Sequence, residues 1–540
     1  MGSVFMPIII PQIKGTLSQT SNEIISRALK AAGINSRDIA FADIYKTSVD
    51  ARRRDEKGIH FVYSVSVSLK DKNAEQRTAD EKHLTYAPYG EIEVRKGSKT
   101  LGGRIVIAGF GPTGMFCALT LAENGYRPLV LERGSEVGKR VEKVSHFWRG
   151  GEIDEQTNAQ FGEGGAGTFS DGKLTTRIKD PLCRYVLERL TQLGAPKEML
   201  TKAKPHIGTD NLRDVVKNLR QRIIECGGEI MFDTRLDGIS LEGGRVTSVS
   251  FSGAETGDIQ SGCVVAAIGH SARDTVQMLQ NSGVTIRSKP FAVGVRIEHT
   301  QKAVNESLYG KFADDPLLPV GEYQMSYTQK DGQACYTFCM CPGGVVVPAA
   351  SEHGSVVVNG MSEYARNGVN ANSALVVPVN QSDFGTSPLG GMEFARQIEQ
   401  RAFAATKNYS AYTAPACTVG GFLSGTPDLK SEILPTYARG VIPCDISSIL
   451  PNRVTDMLKK GLGVFSSRMK CFKDETAILT APETRTSSPV RILRDDSAKA
   501  VGIENLYPCG EGAGYAGGIT SSAVDGINTA LKIMEEYAPY

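Results

Sequence analysis

The spacing of hydrophobic and polar residues changes several times along this chain, and each change predicts a different element. The apolar run at 8–10 predicts a strand, the period within Ser21–Ala32 a helix, and 39–48 a second strand. His60–Leu69 alternates, with Phe61, Tyr63, Val65 and Val67 on one face, and predicts a third strand. An extended piece at 92–94 would complete a small α+β, ferredoxin-like βαββαβ sandwich over residues 1–100. After the polar stretch 95–103 the pattern becomes strand, glycine turn, helix, strand, as expected of an α/β unit. A helix over 210–226, closed by Gly227 and Gly228, leads to short strands at 229–232 and 245–251, and a strand at 263–268 runs into Gly269. Residues 296–489 mix strands, turns and helices without a nucleotide fingerprint and are read as an inserted α+β substrate or cap domain. Residues 490–540 return to a glycine-rich loop and a helix at 522–533, completing the unit begun at 101–295.

Bulk properties narrow the classes. With 41% hydrophobic residues, 22% charged and 58 glycines in 540, the composition is that of a globular enzyme, not of a disordered or fibrous chain. Lys+Arg of 61 against Asp+Glu of 59 gives a formal charge of +2, so no global field draws the protein to nucleic acid or an anionic membrane. The expected partner is a small-molecule substrate, and the sequence sets no oligomeric state. No apolar run reaches the roughly 18 residues of a membrane helix. Residues 1–11 lack the basic start and long apolar stretch of a secretory signal, and the myristoylation pattern that Gly2 suggests wants Ser or Thr where Met6 stands. Eleven scattered cysteines, an odd number, read as reduced thiols and predict a cytoplasmic location. The run Arg52, Arg53, Arg54 is read as a solvated turn in preference to an anion or RNA contact.

The chemistry begins at 104–114. A buried strand, Arg104–Ala108, leads straight into Gly109-Phe-Gly111-Pro112-Thr113-Gly114 and then a helix at 115–124. Gly109 allows the tight turn, Gly111 lets backbone approach a pyrophosphate, and Gly114 lets the helix close on the sheet with its N–H dipoles aimed at the anion. Glu132 ends the next strand 18 residues after Gly114, where a carboxylate accepts from adenosine ribose hydroxyls and disfavours a 2′-phosphate. Arg133, Lys139 and Arg140 follow as candidate contacts to the adenine or pyrophosphate, with a solvated surface as the alternative for the last two.

FAD and NAD share that fingerprint, so the choice rests on other segments. Residues 505–520 place Gly510, Glu511, Gly517, Gly518, Ile519 and Thr520 just before a helix. This loop resembles the C-terminal flavin motif of the glutathione-reductase-type and hydroxylase-type FAD proteins, although Glu511 stands where Asp is usual. The resemblance implies that Glu511 holds a ribityl hydroxyl and that Gly518, Ile519 and Thr520 face the flavin pyrimidine. The segment 264–269 resembles the strand-to-glycine segment of that superfamily, with Ile268 in place of Thr, and puts Gly269 at the cofactor. The glycine-dense stretch 160–174, with Gly164, Gly165 and Gly167, suits the close approach of backbone to a planar ligand. Together with 149–153 and the Cys339-Met340-Cys341-Pro342-Gly343-Gly344 segment, it resembles an uncharacterised bacterial family of FAD-dependent dehydrogenases with a small N-terminal domain. The resemblance implies a Rossmann-like FAD-binding domain of glutathione-reductase type and a non-covalent FAD oxidoreductase. The rival readings are a flavin-binding redox sensor or scaffold without turnover, and an FAD enzyme acting on RNA.

No second strand-linked glycine fingerprint for NAD(P)H is evident, since Gly461 and Gly463 follow a helix-like stretch. Either NAD(P)H docks transiently as electron donor or the substrate supplies the electrons. Lys173 is the candidate catalytic charge near flavin or substrate, with a surface lysine as the alternative. Strict alternation at 334–341 would put Cys335, Thr337, Cys339 and Cys341 on one face, about 6 to 7 Å apart and near or beyond disulfide reach. Neither a redox disulfide nor a metal site is expected there, and the cysteines are read as buried structural residues in preference to a flavin-adjacent thiol.

Overall fold

The computed structural model describes residues 7–52, 58–87 and 92–540. Its first sheet contains β1 (Ile8–Gly15), β2 (Ile39–Asp50), β3 (His60–Leu69) and β4 (Thr85–Tyr86) in the order β2-β3-β1-β4. Helices α1 (Ser21–Ala32) and α2 (Glu75–Glu81) make the connections, giving the expected βαββαβ order. A capping box between Thr20 and Glu23 starts α1, a left-handed Gly33 ends it, and Ile24 and Ala28 are its buried stripe. The fourth strand differs from expectation. The chain returns to β1 immediately after α2, through Thr85 and Tyr86, so 92–94 lies beyond the sheet. Ile92 and Val94 instead pack on the core of the next domain. Of the arginine run, Arg52 is exposed and paired with Asp50, while Arg53 and Arg54 lie outside the described residues.

The second domain is wound around five parallel strands: β5 (Arg104–Ala108), β6 (Leu129–Leu131), β7 (Glu229–Met231), the C-terminal half of β10 (Gly257–Ala266) and β22 (Leu506–Pro508). Their spatial order, β7-β6-β5-β10-β22, is 3-2-1-4-5 in chain order, so the winding reverses between β5 and β10. The outer half of β10 forms an antiparallel meander with β9 (Arg245–Gly253) and β8 (Thr234–Glu242). Helix α3 (Pro112–Glu123) is apolar on all sides because it lies between the sheet and the C-terminal helix α8 (Ile519–Glu536). Gly526 permits that contact, since a Cβ there would stand 2.2 Å from the Thr113 carbonyl oxygen. Three further helices are α4 (Val137–Trp148), α5 (Thr209–Glu225) and, in the cap, α6 (Gly390–Thr406).

The chain leaves this domain through β11 (Ile286–Ser288) and returns through β21 (Val490–Ile492), which pair antiparallel. The crossing therefore falls just after Ser288, and β12 (Phe291–Thr300) runs unbroken through the boundary expected at 295. The cap sheet has the order β13-β14-β17-β12-β20-β18-β19, from β13 (Ser326–Thr328), β14 (Ala334–Cys341), β17 (Asn370–Val379), β18 (Ala414–Thr418), β19 (Val441–Pro443) and β20 (Ile478–Glu483). A separate hairpin joins β15 (Val345–Pro348) to β16 (Val358–Met361). Gly461 and Gly463 lie inside α7 (Asn452–Arg468), where Gly461 gives room to the Cys335 sulfur.

Candidate functional site

In a doubly wound sheet the ligand crevice opens where the winding reverses, here beyond the C-terminal ends of β5 and β10. Gly109 and Gly269 stand at those two ends. Gly109 adopts φ +101°, and a Cβ on it would lie 2.4 Å from the Ala267 carbonyl oxygen, so only glycine lets the two strand ends meet. Gly111 caps α3 without a side-chain bond and Pro112 takes the first helical position, so the early amides of the helix stay available for an anion. Gly114 is fixed by contact: a Cβ would sit 2.0 Å from the Gly109 carbonyl oxygen.

Glu132 is 4% exposed, and its carboxylate accepts from three backbone amides: Phe110 at 2.7 Å, Gly134 at 2.9 Å and Gly162 at 2.9 Å. It ties the first glycine loop to the 160–174 loop, and one of about four acceptor positions is left for a ribose hydroxyl. The 160–174 loop lies directly on the first one, with Gly164 N–H donating to Phe110 O at 2.9 Å and Gly165 against the Gly111 backbone.

The expectation for Arg140 is corrected. It is fully buried at the start of α4, and its guanidinium donates to the carbonyls of Asn158, Gly162, Glu163 and Gly165 at 2.7–3.2 Å. Burial lowers its pKa to about 10 against the pull of Glu132 and Glu163. Arg140 therefore holds the glycine loop in shape, because the carbonyls of so many tightly turned residues point inward and need a donor. Lys139 is exposed, and its own amide caps onto Glu136. Arg133 lies over the Phe161 ring at 4.3 Å and pairs with Asp274. It lines a cleft of about 750 Å³ shared with Ser271, Arg273 and the cap residue Glu352.

The C-terminal loop joins this assembly. A Cβ on Gly510 would stand 2.1 Å from Thr113 Oγ1, and one on Gly512 would stand 2.5 Å from the Gly269 carbonyl oxygen. The Gly510 amide donates to Asp525 at 2.7 Å, and Asp525 is held by Arg494 at 2.7 Å and 3.0 Å. Helix α8 begins at Ile519, three residues before the position expected from sequence, because Gly518 takes φ +97° as its cap. This changes what Ile519 and Thr520 do. The Ile519 side chain packs over Gly167, and Thr520 Oγ1 donates to Leu174 O at 2.8 Å, so only their backbone is left to face a ligand.

Around this junction three glycines face open space. A Cβ built on Gly269, Gly517 or Gly518 meets no protein atom within 4 Å, whereas one on Gly109, Gly114 or Gly510 would strike another segment. That contrast is the fit to FAD: a cradle that side chains would fill, with helix amides at both ends. Glu511 is at its edge. Burial raises its pKa to about 7, opposed by Lys289 and a hydrogen bond from the Gly518 amide, and the charge of Cys339 pushes it further up.

Lys173 lies at the cap side of the junction, where its ammonium donates to the Met340 carbonyl oxygen and stands 4.0 Å from Asp171. Asp171 in turn is gripped by Arg366 of the cap. The expected alternation at 334–341 is corrected as well. Cys339 takes φ +43°, the register on β17 shifts between Phe338 and Cys341, and the cysteines do not form one flat row. Cys335 points to α7, while Cys339 and Cys341 gather around Arg296.

Sequence reasoning missed two buried arginine clusters. Arg296, 0% exposed in β12, binds Glu483 at 2.8 Å, Asn372 at 2.8 Å, Asn359 at 2.9 Å and the Cys339 carbonyl oxygen at 3.0 Å. Arg273 and Arg485 converge on Glu399 of α6 at 2.8–3.3 Å, clamping the cap to the second domain. The available signal was charge inside an apolar strand, Arg296 and Glu298 within Phe291–Thr300.

Comparison with known proteins agrees with this geometry. Residues 290–486 match the family described as FAD-dependent protein, C-terminal domain-like, which spans β12 to β20, and residues 7–68 match a domain of unknown function. A Clostridium beijerinckii protein described as uncharacterized is 44% identical over 536 residues, covering 98% of this chain and 99% of its own. Among solved structures, glycine oxidase from Bacillus cereus is 12% identical with a TM-score of 0.33, covering 81% of this chain and 98% of its own. The 3-ketosteroid-delta4-(5alpha)-dehydrogenase from Rhodococcus jostii is 14% identical with a TM-score of 0.33, covering 82% and 99%. Scores this low mark distant likeness and add nothing to the geometry above. Carrying the C-terminal domain of the FAD-dependent proteins, and matching the Clostridium protein along almost its full length, this chain belongs to their family.

Proposed function

We propose that the protein is an FAD-dependent oxidoreductase acting on a small molecule, with a flavin domain of glutathione-reductase type formed by residues 101–288 and 490–540. The five-stranded parallel sheet with its antiparallel meander supports that subclass. The observation that carries the reading is the contact of Gly510 with Thr113 beside the open faces of Gly269, Gly517 and Gly518. FAD, when bound, supplies hydride or single-electron transfer.

The chain's residues divide the remaining work. The first amides of α3 bind the diphosphate, with Glu132 offering its free acceptor position to the ribose. The α8 N-terminus opposes negative charge at the pyrimidine end. Glu511, titrating near neutrality, holds a ribityl hydroxyl as donor or acceptor according to pH. The cap is tied to the flavin domain through Asp171–Arg366 and Glu399–Arg273. NADH and NADPH are candidate transient donors, and a cytoplasmic location fits the eleven thiols. Purified protein should release one FAD per chain on heating, and anaerobic reductants should bleach the flavin band; protein that takes up no flavin refutes the reading. The sensor alternative predicts a bound flavin that no donor and acceptor pair turns over.

A further inference from the structure

The Cys339-Met340-Cys341 segment is built unlike the rest of its strand. The left-handed Cys339 and the register shift against β17 break the alternating row, and the Cys341 thiol folds back to donate to the Cys339 carbonyl oxygen at 3.5 Å. Cys341 is fully buried, while Cys339 keeps part of its surface open. Two cations hold the segment. The Arg296 guanidinium bonds the Cys339 carbonyl oxygen at 3.0 Å and stands 3.9 Å from the Cys341 sulfur, and the Lys173 ammonium bonds the Met340 carbonyl oxygen.

The charged groups around the pair are Lys173 and Asp171 of the glycine-loop side, Arg296 of β12, Glu483 of β20 and Glu511 of the C-terminal loop. Asp171 is neutralised by Arg366 and Glu483 by Arg296, while burial keeps Glu511 largely protonated below about pH 7. Arg296 and Lys173 are the cations that act on the Cys339 thiol. Its neighbour Cys341 draws the Cys339 thiol down, helped by Arg296 and Lys173 against burial, and Cys341 is pushed up. Burial alone drives Cys335 of the same strand the other way, up to about 12. One thiolate beside one thiol is the division of labour in a reactive dithiol.

We propose that Cys339 and Cys341 are a redox-active dithiol that exchanges two electrons with the bound flavin through a reversible disulfide, a reading that rests on the flavin site described above. A bond forms between the two sulfurs as the Cys341 S–H bond breaks. The two electrons and the Cys341 proton pass to oxidised flavin, giving its anionic reduced form, so thiolate, thiol and oxidised flavin balance disulfide and reduced flavin. Arg296 and Lys173 favour the thiolate form of Cys339. Cys339 is then the sulfur that faces the flavin, and Cys341 the one that resolves.

The test is an anaerobic dithionite titration of air-oxidised holoprotein, combined with alkylation and mass measurement of the peptide containing both cysteines. The wild type should take up four electrons per flavin, and C339S and C341S two each, with flavin content and melting temperature of the variants as folding controls. The wild-type peptide should be 2 Da lighter and unalkylated before reduction and doubly alkylated after it. Flavin-loaded wild type that takes only two electrons and alkylates fully at both cysteines overturns the proposal while leaving the flavin site standing. Protein that binds no flavin overturns the site and the exchange together, whatever the state of the peptide.

Discussion

Replacing Gly517 by Leu separates the cradle from the fold that holds it. Gly517 is outside the left-handed region and a Cβ there meets nothing within 4 Å, so a side chain can leave the backbone of the flavin-free protein without strain. An exposed substitution of this kind changes stability by about 0.5 kcal/mol or less. If the open space belongs to the isoalloxazine, the same side chain overlaps the ligand and weakens binding at least about 100-fold, which is roughly 2.7 kcal/mol. Thermal unfolding reads both effects at once. At FAD near 100 times its Kd the wild type gains about 2.7 kcal/mol from ligand binding, and the variant should gain almost nothing at that concentration. Fluorescence quenching of FAD by the flavin-free proteins gives the two Kd values directly. A variant that binds FAD within threefold of wild type shows that the space beside Gly517 is solvent, and the assignment of the cradle fails.

Three further outcomes follow from buried charges. Burial raises the Glu399 carboxyl, but Arg273 and Arg485 outweigh it and hold the pKa at about 2, so its stabilisation is present above the unfolded value and lost as pH falls towards 2. E399Q should lose about 3–5 kcal/mol at pH 7 in urea unfolding and lack that acid slope; an unchanged slope refutes the clamp. Glu511 has the opposite sign: its folded pKa of about 7 is raised, so flavin-free protein should lose stability as pH rises from about 4.5 to 7, and E511Q should flatten that window. Arg140→Leu removes the donor for four loop carbonyls and should cost about 3 kcal/mol or more, with limited proteolysis newly cutting within 158–167; a loop that resists protease refutes the stapling role.

What was legible in the sequence is local. Arg104–Ala108, its glycine turn and Glu132 stand within one short βαβ unit, where spacing dictates geometry, and the loop at 510–520 carries its own glycine pattern. Elements fixed by distant partners were not legible. Residues 92–94 look as extended as Thr85–Tyr86, and only the short return from α2 decides which pairs with β1. Arg140 is an ordinary helix residue until the inward carbonyls of the 158–165 loop surround it. The bulge at Cys339 breaks the alternation rule because β17, more than 30 residues later, sets its register. Cap strands joined in the order β13-β14-β17-β12-β20-β18-β19 leave no trace in any short window.

The central claim is that one crevice is closed by two glycine loops some 400 residues apart, and a structure of the protein crystallised with its flavin tests it most directly. The diphosphate should lie within hydrogen-bonding distance of the amides of Gly111, Thr113 and Gly114, with the pyrimidine edge of the ring against Gly518 to Thr520. A diphosphate bound elsewhere, or a nicotinamide nucleotide alone in that crevice, contradicts the account.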